Sequence, residues 1–380
     1  MCKINYVFII FFALVFHFQS LAAENLTHDI DRRFAISLTS EAREMAREID
    51  DSTERAMALT TITTAHANLN DFYVALKSIY DIRNTHVREE LLRDIAITQA
   101  EAGFMLEALT TIRTIESSWP KASALIAIAE QPQNGDQWTF LRPDLITEAL
   151  EVARQIASPL HRSQALSKFA LTQDNTHLFE EALDAARGIE TEGDRSIAFA
   201  AIASAQAKAG LFHEALNTAD DIVDALWRAQ ALGDIAASRS DPSVFIEALQ
   251  LARGIETATS RSLALQFIAS AHNDRELFIE ARDAALDIAF ETSREMALSD
   301  IATAQANAGF LADARQTASQ IETEFYLGWA LGDLAFAHSQ AELHSEALRM
   351  IQQSSKPLNQ IIVLSAIARS INYNDDNIEY

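Results

Sequence analysis

The stretch that decides the fold runs from Ala207 to Ser240, "AKAGLFHEALNTADDIVDALWRAQALGDIAASRS". Its apolar residues fall at helical spacing twice over. Ala215, Leu216, Ala219 and Ile222 form one face, and Ala231, Leu232, Ile235 and Ala236 form another. No alternation of period two interrupts them. Gly210 stands where a left-handed residue ends one helix and turns the chain into the next. The stretch therefore reads as two short helices with tight connections.

The same pattern recurs along the chain. The alanine of the "Glu-Ala-Leu" type dipeptide returns at Ala42, Ala75, Ala108, Ala149, Ala182, Ala215, Ala248, Ala281, Ala314 and Ala347. Every step is 33 residues except the step from Ala108 to Ala149, which is 41 and so holds eight inserted residues. Seven residues after the anchor stands Ile in nine units, from Ile49 to Ile321. Seventeen after it stands Leu in nine units, with Phe199 as the exception, and twenty after it stands Ile, Leu or Phe in all ten. Two short helices cannot bury an apolar face by themselves, but stacking them in register does, giving one continuous core.

The unit resembles the tetratricopeptide repeat. The likeness rests on first helices of the "LGDIAASRS" type, on Ala203, Ala236, Ala269, Ala302 and Ala335 within them, and on Gly210, Phe212, Glu214 and Ala215 at the turn into the second helix. The departures are a period of 33 rather than 34, Leu232 and Leu265 where that family has Trp, polar Gln206, His272 and Gln305 where it has Tyr, and Ala186, Ala219 and Ala252 in place of its second-helix aromatic. The resemblance implies an all-α solenoid of antiparallel helix pairs stacked into a right-handed superhelix. It also implies a role in protein–protein interaction. The expected organisation is a signal peptide over 1–22, an N-terminal cap segment over 23–40, the solenoid over 41–371 with its insertion near 131–143, and a polar tail over 372–380.

The leader follows from "MCKINYVFIIFFALVFHFQSLAAEN". Lys3 precedes an apolar run from Tyr6 to Phe18, and Ser20, Ala22 and Ala23 offer small residues for cleavage. The run is too short to span a bilayer. The expectation is an exported protein, periplasmic or secreted, with no membrane span in the mature chain. Cys2, the single cysteine, leaves with the leader, so no disulfide or thiolate site remains. The whole chain carries 30 basic and 54 acidic residues, a formal charge of −24, which becomes −25 when Lys3 is removed. That sign argues against nucleic-acid partners.

Little of the sequence is left over for catalysis. The histidines are scattered, and none stands in an HExxH or other ligand pair, so no metal and no cofactor are expected. No Gly-rich phosphate loop or GxSxG elbow appears. Glu41, Glu107, Glu148, Glu181, Glu214, Glu247, Glu280 and Glu346 precede the anchor alanines, where a carboxylate meets the positive end of a helix. A basic ladder, Arg55, Arg88, Lys121, Arg162, Arg195, Arg228, Arg261 and Arg294, stands thirteen residues after the anchor. It is read as structural, each cation donating to the carbonyls that end the preceding helix.

Candidate binding residues come from two places. The insertion "EQPQNGDQWTFLRPD" carries Trp138 and Phe140, with Pro132 expected to stop one helix and Pro143 to precede the next. The free strip of the first helices, expected to line the concave face, runs through Gln230, Gly233, Ala237 and Ser240, then through Leu263, Gln266, Ser270 and Asn273, with Gln164 in an earlier unit. Its small, weakly polar character suits an extended peptide or a helix. The leading expectation is a non-enzymatic scaffold for a protein or peptide partner. The alternatives are a hydrolase with carboxylates near Asp136 and Asp144, and an envelope protein that self-assembles end to end. The latter needs a free apolar terminal face, and Ser354 and Gln360 in the last unit speak for a cap instead.

Overall fold

The computed structural model describes residues 24–131, 136–340, 347, 349–350, 354 and 356–373. These residues form helices and no strand. In chain order the helices are α1 (Glu24–Arg47), α2 (Ser52–Asn68), α3 (Phe72–Ile79), α4 (Thr85–Glu101), α5 (Met105–Arg113), α6 (Ser118–Glu130), α7 (Asp136–Arg154), α8 (Pro159–Thr172), α9 (His177–Arg187) and α10 (Glu192–Lys208). They continue as α11 (Phe212–Asp220), α12 (Ala225–Arg239), α13 (Pro242–Gly254), α14 (Ala258–His272), α15 (Arg275–Leu286), α16 (Glu291–Asn307), α17 (Leu311–Ala318), α18 (Glu324–Gln340) and α19 (Pro357–Tyr373). The expected signal peptide and Cys2 lie outside the described residues, as does the polar tail beyond Tyr373.

The chain is an all-α solenoid of antiparallel helix pairs. Even-numbered helices α2 to α18, with α19, are the first helices of the units, and α1 to α17 at odd numbers are the second helices. The repeat positions carry the core. All ten anchor alanines have no solvent exposure, and the apolar residues twenty positions on, from Ile62 to Ile367, are buried as well. Alanine at the anchor removes the side chain that would hold the second helix away, so the backbones of a hairpin approach closely.

Two kinds of turn join first to second helices. In one, the left-handed residue is Asn70, Gly103, Gly210 or Gly309, and the first helix has 17 residues. In the other it is Asp174, Ser240 or Asn273, and the first helix has 14 or 15. The turn has moved back by about one helical turn, so the second helix gains what the first loses. The period stays at 33 either way. Where glycine occupies the turn, a buried polar clasp recurs: Thr111, Thr218 and Thr317 hydroxyls donate to Gln99, Gln206 and Gln305 Oε1 at 2.7, 2.8 and 2.7 Å. Burying a glutamine is costly unless its polar atoms are satisfied, and these acceptors are.

Each first helix from α2 to α16 packs on the second helix that follows it and on the first helix of the next unit. Second helices make no comparable contact with one another among the described residues. The first helices thus lie on the inside of the curve. Bidentate pairs, Arg154 with Glu181 (2.7 and 2.9 Å) and Arg253 with Glu280 (2.7 and 2.8 Å), reach between successive second helices on the outside. Both pairs are partly exposed and contribute at most about 1 kcal/mol each.

The stack closes on itself. Helix α19 packs on α18 on one side and on α1 and α2 on the other. Among the described residues no first helix precedes α1, which is a second helix, and α19 packs against it in that place. Residues 361–368 of α19 are buried without a break, in keeping with "IIVLSAIA" being apolar on every side. The approach of α18 to α19 depends on glycine. A Cβ on Gly332 would lie 2.5 Å from Ile362 Cγ2, and one on Gly328 would lie 2.1 Å from Asn359 Oδ1.

Helix α6 ends at Glu130, with Gln131 in the conformation (φ −57°, ψ 139°) that suits a residue before proline; Pro132 itself lies outside the described residues. The expectation at Pro143 is corrected. Helix α7 begins at Asp136 and carries Pro143 inside it, two turns from its start, where the ring forfeits one backbone bond and favours a kink but the helix runs on.

Two outcomes test this architecture. A chain ending at residue 356 should lose hydrogen-exchange protection in α2, which is remote in sequence; protection changes confined to α18 would show an open stack. Gly332→Ala should lower stability by about 1–3 kcal/mol despite its better helix propensity. A cycle with Ile362→Ala should show strong coupling, whereas independent effects would mean the two helices do not meet there.

Candidate functional site

The inner wall is built from the face of each first helix that neither its hairpin partner nor the neighbouring first helices cover. In register, this face takes the residues fifteen, nineteen and twenty-two after the anchor. Along α10, α12, α14, α16 and α18 it offers Ile197, Gln230, Leu263, Met296 and Trp329 in one row. A second row holds Ala201, Asp234, Phe267, Asp300 and Asp333. Most are half-buried; Met296, at 48% exposure, and Asp300 are the open ones.

Hydrogen bonds run from unit to unit along the wall. Ser204 donates to Asp234, Thr303 Oγ1 donates to Asp333 Oδ2 at 2.6 Å, and Gln266 Nε2 donates to the Asp300 carbonyl at 3.3 Å. The carboxyl groups feel their setting. Burial pushes the Asp234 carboxyl up, against the opposing pull of Ser204, Lys208 and His272. Burial also raises Asp300, and the nearby charge of Asp333 adds to the shift. Glu130 is raised by burial too, partly offset by Lys168. The wall thus combines apolar side chains with carboxyl groups, half-buried at Asp234 and Asp333 and exposed at Asp300, a setting that favours a cationic, partly apolar guest.

The residues expected from the sequence fall as follows. Gln164 and Gln230 lie half-buried on α8 and α12, and Gln230 Oε1 is buried with no partner. Gln266 bonds to α16, as above. Asn273 stands at the left-handed end of α14 (φ 51°) and serves the turn. Gly233, read as part of the open strip, is buried instead: a Cβ there would lie 2.9 Å from Ile268 Cγ1, so the glycine admits the next first helix. The side chains of Trp138, Phe140 and Asp136 lie outside the described residues; Asp144 is solvent-exposed.

The ladder cations point to backbone at several units. Arg55 donates to the Ile49 carbonyl from Nε at 2.9 Å, and Nη1 of Arg162, Arg195, Arg261 and Arg294 donates to the carbonyls of Ile156, Ile189, Ile255 and Ile288 at 2.9, 2.9, 3.0 and 3.2 Å. Two recurring positions, the isoleucine and the arginine six residues on, are therefore one local device that closes a helix C-terminus. Arg228 instead meets Asp220 Oδ1 at 2.8 Å, and Arg88 meets Thr85 Oγ1 at 3.4 Å. No bond of the Lys121 side chain enters this pattern.

The aspartates of the second inner row were missed by sequence reading. The signal was present, since Asp234, Asp300 and Asp333 share a register, but three acids in a chain of 54 acidic residues do not stand out until the fold places them on one wall. Among the described residues, no group of three or more His, Cys, Asp or Glu is arranged to hold a metal ion, and no helix is long and apolar enough to cross a membrane.

A pH response follows. A carboxyl held above its ordinary range in the fold contributes stability below the unfolded-state value and loses it as pH rises through the folded value. Asp234→Asn, which keeps an acceptor for Ser204, should raise Tm at pH 7.5 by about 2 °C or more and flatten the rise in stability on going from pH 7.5 towards 5. A lower Tm with an unchanged pH profile would show that the Asp234 carboxylate is not strained by its burial.

No protein-family model and no curated protein matches the chain. The crystal structure of Ton1535 from Thermococcus onnurineus NA1 is similar over 80% of this chain and 98% of that one, at 17% identity and a TM-score of 0.34, a likeness that carries no argument about either fold or function.

Proposed function

We propose that the chain is an exported, non-enzymatic scaffold of tetratricopeptide-like type that binds a segment of a partner protein along the inner wall of first helices. One observation carries the reading. Ile197, Leu263, Met296 and Trp329 stand in a single register beside Asp234, Asp300 and Asp333, so apolar anchors and carboxyl groups repeat at the spacing of the stack. A helical or extended segment with apolar side chains and lysines or arginines complements that pattern. The net charge of −24 steers such a basic segment toward the protein. The leader over 1–22 supports export. Ten similar units with no separate region of domain size support scaffolding over catalysis.

End-to-end self-assembly fits less well. It calls for a free apolar terminal face, and the packing of α19 on α1 and α2 leaves neither end of the stack open.

Affinity capture from the exported fraction tests the proposal. The whole protein should retain a specific protein, and Leu263→Asp combined with Met296→Asp should lose it while the circular-dichroism melt stays cooperative. Equal recovery by both forms, or no specific protein with either, would overturn the reading. A third form lacking residues 131–143 reports whether the Trp138 segment adds to binding.

A further inference from the structure

Away from the inner wall, one cleft stands out against the charge of the whole molecule. It lies at the outer edge between the first two units, with a volume of about 790 Å³, and is lined by Arg43 and Arg47 of α1, Arg55 at the start of α2, and Arg83 and Asn84 of the α3–α4 connection. Ser52, Thr53, Ala46, Ala56 and Leu59 complete the walls and floor, and Asp81 is the single acidic residue among the lining groups. Four arginines against one aspartate is a local reversal in a protein of formal charge −24.

The cations are not equally engaged. Arg55 is committed to the Ile49 carbonyl, and Arg47 pairs with Glu44 on the exposed surface of α1 at 2.5 Å. Arg43 of α1 and Arg83 of the α3–α4 connection have no hydrogen-bond or ion-pair partner among the described residues. The first amides of α2 are already capped by Asp51, which accepts from Thr53 and Glu54 at 2.8 Å. Any anion here is therefore held by guanidinium groups and not by the end of the helix.

We propose that this cleft binds a small polyanion carrying at least two phosphate or carboxylate groups. Planar guanidinium groups meet such oxyanions through paired hydrogen bonds, and two of them brought to one cleft from different elements favour ligands with more than one anionic group. The volume is that of a small-molecule site. Exposed arginines of one sign repel each other, and a bound polyanion relieves that repulsion.

Isothermal titration of the full-length mature protein with tripolyphosphate at about 50 mM salt tests the site. Saturable binding with one site per chain is expected, weakened roughly tenfold or more by Arg43→Gln combined with Arg83→Gln. Arg187→Gln combined with Arg239→Gln removes the same charge elsewhere and should leave binding intact. Citrate as a second titrant separates the sources: binding of both probes means general oxyanion recognition, and binding of tripolyphosphate alone means a phosphate site. Hydrogen exchange on the unmutated protein, read with and without tripolyphosphate, should show protection at residues 43–59 and 81–84, which keeps the test decisive even if the double variant is unstable. Absence of binding, equal loss in both double variants, or protection spread over the whole surface would overturn the proposal.

Discussion

Close approach of helix backbones is the constraint on which the rest of the structure depends. It is met by small residues at the crossing points: alanine at every anchor, and Gly233, Gly328 and Gly332 where first helices meet. A larger side chain at any of these positions would push neighbouring units apart and change the curvature of the whole stack. The apolar area of one short hairpin is too small to hold it folded. Each unit is stable because its neighbour covers it, and the requirement passes along the chain until α19 covers a face of α1.

Closure also explains an oddity of composition. Helix α19 carries apolar residues on all sides, whereas the other first helices keep an open inner strip. An element that joins the two ends of the stack has neighbours in more directions, so it has fewer places for polar residues. Its polar groups are accordingly used for docking: Asn359 Nδ2 donates to the Glu324 carbonyl at 2.7 Å and to Ser354 Oγ at 2.9 Å, and the Arg369 guanidinium lies 4.3 Å over the Phe336 ring. Burial lowers the pKa of Arg369, opposed by the charge of Asp333. The same Asp333 belongs to the inner wall, so the join between the ends and the candidate binding face share a residue.

Regularity in the sequence and regularity in the structure are not the same thing. The period of 33 holds while the turn within a unit shifts by about one helical turn, because two antiparallel helices can trade length without changing the repeat. Gly210 marked one kind of turn in advance, and Gly103 and Gly309 hold the same register. The other kind uses Asp174, Ser240 and Asn273, residues that tolerate left-handed backbone less readily and announce it less clearly. Pro143 misled for a related reason: a proline is a strong local signal, yet the helix from Asp136 to Arg154 continues through it.

By itself, the sequence determined the class of fold, the number and register of the units, the identity of the buried rows, and the existence of one insertion. Those features are local or periodic, and hydrophobic spacing records them directly. Only the tertiary structure decided that the stack closes, that Gly233 faces a neighbour instead of a ligand, that three aspartates share one wall, and that Arg43 and Arg83 line one cleft. These depend on which residues from distant units come together, and that is set by the accumulated rotation from one hairpin to the next. No single repeat contains that information, because a small change of angle per unit decides whether the ends of a long stack meet.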